Sequence, residues 1–372
     1  MRLSIDRSVF LKALSHVQSV VERRAVTPIL ANVLLEAEGK TLSLTATDLD
    51  ISVREISEAN IGEPGALTVN AHTLHEVTKK LPDGSEIELS SNEDLSQLFI
   101  KCGRSRFQLS TLAAADFPDV KVSSLPHEFS LTAEEVRHLV NQTRFAMSSE
   151  EARYYLNGIY LHTKQTDKGS VLRAVATDGH RLAQAEIPQP EGAEGMPGVI
   201  IPRKTVGELS RLLENTTDEV HLALSLTQIS FSFAGIQLIS RLIDGSFPDY
   251  EKVIPQTNKL ELTLELKKFA EAVDRVAVLS QEKSRGVKVS IENNRVTVSA
   301  VSPDQGSAVE EVEAAYEGNK IETGFNARYL LDIAQQIETD HVQFLLDKES
   351  APAIIRGVGE EDALYVLMPM RV

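Results

Sequence analysis

The chain has 372 residues, 42% of them hydrophobic, with one cysteine and a formal net charge of −16. That length holds two or three domains of about 100–150 residues with real cores, and no run approaches the roughly 18 apolar residues of a membrane span. MRLSIDRSVF has no secretory apolar core and Cys102 alone closes no intramolecular disulfide, so a soluble cytoplasmic protein is expected, and the acid excess argues against a grip on phosphate backbones.

In chain order, apolar spacing at Phe10, Leu11, Leu14 and Val17 predicts a helix in DRSVFLKALSHVQSVV from Asp6. LSLTATDLDISV from Leu42 reads as strand, Asp-bearing turn and strand; NAHTLHEVTKKL from Asn70 is a second helix, and LSTLAAADFPDV ends at Val120. The order then begins again. TAEEVRHLVNQTRFAM from Thr132, LRAVATDGHRLAQ from Leu172, PRKTVGELSRLL from Pro202 and LISRLIDGSFPDY ending at Tyr250 each lie about 130 positions after a counterpart. A third pass takes LKKFAEAVDRVAVL from Leu266, the alternating Val287, Val289 and Ile291, a weaker copy VTVSAVSPDQGS from Val296, NARYLLDIAQQI from Asn326 and the closing DALYVLMPMRV.

Self-similarity at a fixed period marks a repeat architecture. Each unit holds two amphipathic helices against antiparallel strands, an α+β class. The connectors SSLPHEF and IPQTNKLEL place the boundaries near 126 and 256, giving domains 1–126, 127–256 and 257–372.

Taken by segment, the six helical stretches together carry +5 and the rest of the chain −21. If the helices face one direction, that side alone tolerates a polyanion. Lysine and arginine also simply favour helices, and on composition both readings stand.

ATDGHRL, Ala176 to Leu182, has the residues of a hydrolase, with Asp178 orienting His180 as base and Arg181 clamping an anion. No G-x-S-x-G, H-E-x-x-H or G-x-x-x-x-G-K-[ST] accompanies it, and the S-x-x-K at Ser280 to Lys283 lacks its companion motifs. Asp178 also recurs at Asp48, in TDLD, which has no His. A recurring Asp of this kind reads as a turn-former whose carboxylate accepts backbone N–H bonds. No catalytic residue, metal or cofactor is expected. On its residues alone, LMPM reads first as an ordinary terminal core strand.

The three repeated units, with RYYLNG at Arg153, ATDGHRLA at Ala176, PRK at Pro202, DGSFPDY at Asp244 and YVLMPMRV at Tyr365, resemble the bacterial DNA polymerase III β subunit family, the sliding clamps, over the whole chain. The resemblance implies a head-to-tail homodimer: a ring of six domains around double-stranded DNA, helices lining the hole and sheets outside. It implies tethering of the DNA polymerase III α subunit, the clamp loader complex, and other polymerases and repair proteins that carry clamp-binding peptides. A static peptide-binding scaffold without DNA is the second reading.

By the same resemblance, a peptide cleft between the second and third units takes Leu156, Thr177, Gly179, His180, Arg181, Leu182, Pro248, Val253, Tyr329, Ser350, Pro352, Val366, Met368, Pro369 and Met370. Met adapts to several ligand shapes, and Leu, Val and Pro give apolar area to a short peptide. DNA contacts fall on Arg24, Tyr154 and Tyr155, with Arg203 and Lys204 beside them. At Glu150 and His72 the family more often has Gln and Arg, which lowers the positive character. The subunit interface is expected to join Arg104, Arg106, Phe107 and Leu109 to Val278, Leu279, Asp304 and Glu310, with few ion pairs because QGSAV replaces acids.

Overall fold

A computed structural model describes residues 1–22, 27–120, 124–280 and 285–372. Among them are six α-helices: α1 (Arg7–Gln18), α2 (Ala71–Lys80), α3 (Ala133–Arg144), α4 (Arg203–Leu212), α5 (Leu266–Ala277) and α6 (Ala327–Ala334). Each lies in one of the six predicted stretches. Their starts have local causes. Asp6, Asn70 and Asn326 accept hydrogen bonds from N–H groups of the first turns of α1, α2 and α6, and Thr132 and Glu135 form a reciprocal capping box ahead of α3. Of the predicted stripe, Phe10, Leu14 and Val17 are fully buried together with Ala13, while Leu11 is half-buried.

Every repeat builds two antiparallel half-sheets of four strands, to which the first repeat adds a short fifth strand, Asn60–Glu63, beside Arg2–Asp6. In the third repeat the first runs Ile321–Asn326, Gly286–Glu292, Arg295–Ser302, Gly306–Tyr316, and the second Leu260–Glu265, His341–Leu346, Ala353–Gly357, Ala363–Leu367. In the middle repeat the halves part company. Val199–Pro202, Gly158–Thr166, Gly169–Thr177 and Arg181–Pro188 enter one large sheet; His127–Thr132, Glu219–Leu224, Gln228–Phe233 and Ile236–Arg241 enter the other.

The cause is edge pairing between repeats. Ile236–Arg241 pairs with Ile51–Glu58 of the first repeat, Ser52 facing Ile239; Arg181–Pro188 pairs with Ala363–Leu367 of the third, Leu182 facing Val366. The chain accordingly divides into two compact units, Met1–Val136 with Pro190–Met196 and Lys204–Leu242, and Arg137–Gln189 with Pro197–Arg203 and Ile243–Val372. The first holds the 13-stranded sheet and the second the 12-stranded sheet.

Candidate peptide cleft and the surfaces around it

In the second unit, the turn between Gly169–Thr177 and Arg181–Pro188 is built by its own side chains. Asp178 accepts from the backbone N–H of His180 (2.9 Å) and Arg181 (3.0 Å), while Thr177 Oγ1 donates to the Arg181 carbonyl (2.7 Å). Gly179 has φ 87°, and a Cβ there would lie 2.6 Å from the Arg153 guanidinium. The first repeat duplicates this turn: Asp48 accepts from Asp50 and Ile51, and Thr47 donates to the Ile51 carbonyl. Asp178 is a turn-former. Its second oxygen accepts from Arg181 Nε, no hydrogen bond joins it to the His180 ring, and the hydrolase arrangement is not assembled.

Arg181 is a buried clamp behind the cleft wall. It donates to Asp332 (2.5 Å) and to the Phe145 carbonyl (2.7 Å), and its guanidinium lies 4.3 Å from the Tyr329 ring centroid. The exposed His180 ring lies near-parallel to that of Tyr329, with centroids 6.4 Å apart. Beside the turn, Leu182 and Val366 bury together with Val175 and Tyr250, and Tyr160, Phe247, Ile254 and Leu364 pack against them. Pro248 and Val253 bracket Tyr250 on the surface, Val253 being 47% exposed. Leu156 is buried close by in sequence to Tyr154 and Tyr155.

The C-terminal tail leaves the sheet in two steps. The Met368 N–H donates to the His180 carbonyl (3.0 Å) and the Met370 N–H to the Gly324 carbonyl (2.9 Å), with Pro369 half-buried between them. Ser350 is exposed on a loop tied to the same strand through Thr323 and Glu349, and the Pro352 carbonyl accepts from Asn258. Leu182 and Val366 are only 2% exposed, so the accessible side chains of this region are Pro248, Val253, His180 and Met368, with Tyr329 and Met370 half-buried. Sequence reading missed Val175, Tyr160, Phe247, Tyr250, Ile254 and Leu364. The FPDY repeat was the available signal for Phe247 and Tyr250.

Beneath the patch a polar relay fixes the FPDY loop. Arg173 donates to the Tyr250 hydroxyl (3.1 Å) and to Glu186 (2.9 Å). With that oxygen accepting, Tyr250 donates to His162 Nε2 (3.0 Å), and His162 Nδ1 donates to the Thr163 carbonyl (3.0 Å). Burial holds the His162 pKa below its ordinary 6.5 and raises that of Tyr250. A depressed histidine means the unfolded chain takes the proton first, so stability is lost as pH falls below about 6.5, by at most about 1.4 kcal/mol per pH unit. Thermal melts from pH 7.5 to 5 are expected to fall more steeply for the wild type than for His162→Gln; equal slopes would exclude this role.

Models of the N-terminal, central and C-terminal domains of the DNA polymerase III beta subunit match residues 1–121, 130–249 and 251–371. The chain belongs to the DNA polymerase III β subunit family. The beta sliding clamp of Caulobacter vibrioides (strain NA1000 / CB15N) is 50% identical over 372 residues, and that of Pseudomonas aeruginosa 40% over 373, each alignment covering 100% of both chains. The solved sliding clamp of Bartonella birtlesii bound to griselimycin is 48% identical, with a TM-score of 0.97 and 100% of both chains covered.

Of the residues the β subunit resemblance assigns to DNA, Arg24 lies outside the described residues. Tyr154 is 53% exposed and sits edge-on to Tyr155. The remainder are engaged within the chain. Arg203 donates to the carbonyls of Met147 (2.5 Å) and Ser148 (2.8 Å), Lys204 to Asp48 and the Val20 carbonyl, and Glu150 accepts from Arg153, which holds its carboxyl below the usual range. His72 lies against Gln18 and the Val21 carbonyl.

The expected interface residues of this β subunit are on the surface. Phe107 is 36% exposed on Ser105–Leu112, with Arg104 and Arg106 exposed beside it and Leu109 half-buried. Val278 is 75% exposed just past α5, Leu279 half-buried, and Asp304 exposed. Glu310 is held by Arg275 of its own chain at 2.6 and 2.8 Å, which takes it out of any simple pairing with Arg104 or Arg106.

Proposed function

We infer that this chain is a DNA sliding clamp, a non-catalytic processivity factor that encircles duplex DNA and tethers polymerases. The observation that carries the reading is the match of all three domain models together with full-length relatives named beta sliding clamp. The domains are taken as 1–126, 127–256 and 257–372. Among the described residues no helix is long and apolar enough to cross a membrane, and the chain is assigned to the cytoplasm.

The assembly is a head-to-tail homodimeric ring. Two junctions inside the chain join the last strand of a repeat's first half-sheet to the last strand of the next repeat's second half-sheet. The same rule applied once more pairs Gly306–Tyr316 of one chain with Ser105–Leu112 of another. Residues 105–110 and 306–313 have a ladder partner on one side only; open stretches of this kind promote aggregation, and a closing contact covers both. The exposed Phe107, Val301 and Val309 support this pairing.

The cleft around Leu182, Val366, Met368 and Met370 takes short apolar peptides from the DNA polymerase III α subunit, the clamp loader, and other polymerases and repair proteins. DNA contacts are assigned to Arg24, Tyr154 and Tyr155, with Arg203, Lys204, His72 and Glu150 as the further candidates. Griselimycin, bound by the Bartonella clamp, serves as a probe. Met370→Asp sets a charge where an apolar contact is lost and is expected to weaken griselimycin binding about 30-fold or more by calorimetry, leaving the dimer intact. Unchanged affinity would refute the cleft.

A further inference from the structure

The junction between the first and second repeats reproduces the frame of the cleft residue for residue. Thr47 pairs with Ser52 as Thr177 pairs with Leu182, and Ser52 faces Ile239 as Leu182 faces Val366. The Arg241 N–H donates to the Asp50 carbonyl (2.8 Å), as the Met368 N–H donates to that of His180 (3.0 Å). Phe117 to Val120, FPDV, stands where the other junction has FPDY. A pocket of about 180 Å³ lies here, lined by Ser52, Pro118, Val120, Gln228, Ile239 and Arg241 among others.

The side chains differ while the backbone agrees. Where the cleft has Leu182, Tyr250, Pro352 and Met368, this pocket has Ser52, Val120, Gln228 and Arg241. Ser52 is 4% exposed, so a hydroxyl stands on the floor in place of a leucine side chain. Arg241 is exposed at the rim, loosely paired with Asp50 at 3.7 Å. An apolar peptide side chain entering here would desolvate a hydroxyl and a guanidinium and gain little buried apolar area.

We propose that this pocket is a second copy of the peptide cleft, and that Ser52, Val120 and Arg241 determine specificity by excluding apolar peptides from it, so each chain presents one working cleft. The proposal rests on the cleft reading above. It makes the number of tethering sites per ring a property of a few side chains.

The test is calorimetric titration with griselimycin of the full-length wild type and of S52L/V120Y/R241M. Wild type is expected to bind one per chain and the variant two. The added site, at most about tenfold weaker, should survive Leu182→Asp, which removes the first. A folded triple variant that still binds one, or a wild type that binds two, overturns the proposal. Because Ser52 is buried and the triple variant could fail to fold, the reverse exchange gives a second reading. L182S/M368R places the excluding residues in the working cleft and should weaken binding about 30-fold or more; binding within threefold of wild type overturns it. A wild type with no binding at all would instead remove the cleft reading itself.

Discussion

Phe107→Asp is expected to turn the dimer into folded monomers. The register at the open edges follows from the two internal junctions. Val53 faces Leu238 and Ala183 faces Tyr365; on the same buried face, Ala308, paired with Ala300 as Val53 is with Ala46 and Ala183 with Ala176, holds the place of Val53 and Ala183, and Phe107, paired with Ile100, the place of Leu238 and Tyr365. Leu238 and Tyr365, paired on both sides, are 0% and 1% exposed, whereas Phe107 is paired on one side only, with Ile100, and is 36% exposed. A carboxylate in that position meets apolar surface with no cation aligned to it. An uncompensated buried charge costs about 3–5 kcal/mol, and a closed two-subunit ring carries the change at both contacts. The three repeat cores do not include this side chain, so circular dichroism should be unchanged. Leu279→Asp is expected to act alike from the opposite face. Sedimentation velocity at low micromolar concentration decides the matter: intact dimers of either variant would mean that the edges close elsewhere.

The helices were legible because their determinants are local. Periodicity fixed the buried stripe of α1, and Asp6, Asn70, Asn326 and the Thr132–Glu135 box mark starts within four residues of themselves. Asp178 and Asp48 announced a turn for the same reason. The continuity of each sheet through two repeats was not legible, since Ser52 and Ile239 are nearly two hundred positions apart and nothing in either strand names its edge partner. The internal partners of Arg203 and Lys204 were likewise not legible. Their sequence advertises cations, and the fold commits Arg203 to two carbonyls and Lys204 to a carbonyl and the Asp48 carboxylate. The relay from Arg173 through Tyr250 to His162 needed three strands and a loop brought together before its chemistry existed.

That commitment of cations bears on how the clamp stays on DNA. Lys12 on α1, Lys79 and Lys80 on α2, and Lys267 on α5 are exposed and have no ion-pair partner among the described residues. They are few in a chain of net charge −16. A protein held by counterion release through six to ten phosphate contacts loses about 10³–10⁵ in affinity between 50 and 200 mM salt. A surface with fewer free cations begins from weaker binding, so direct association with linear duplex should be weak even at low salt. Closure changes what must break for escape. The proposed contact between Ser105–Leu112 and Gly306–Tyr316 would be a strand pairing with apolar side chains at Phe107 and Val309, and salt does not weaken apolar burial as it weakens phosphate contacts. Once loaded on a nicked circle, the ring is therefore expected to remain at salt that abolishes direct binding, and to leave within the time of sliding to an end when a restriction enzyme cuts the circle. Phe107→Asp should abolish retention on the circle without altering the weak direct binding. Gel filtration of labelled clamp with circular and cut DNA reads all three results, and retention on the cut molecule with unblocked ends would show that local affinity, not encirclement, holds the protein.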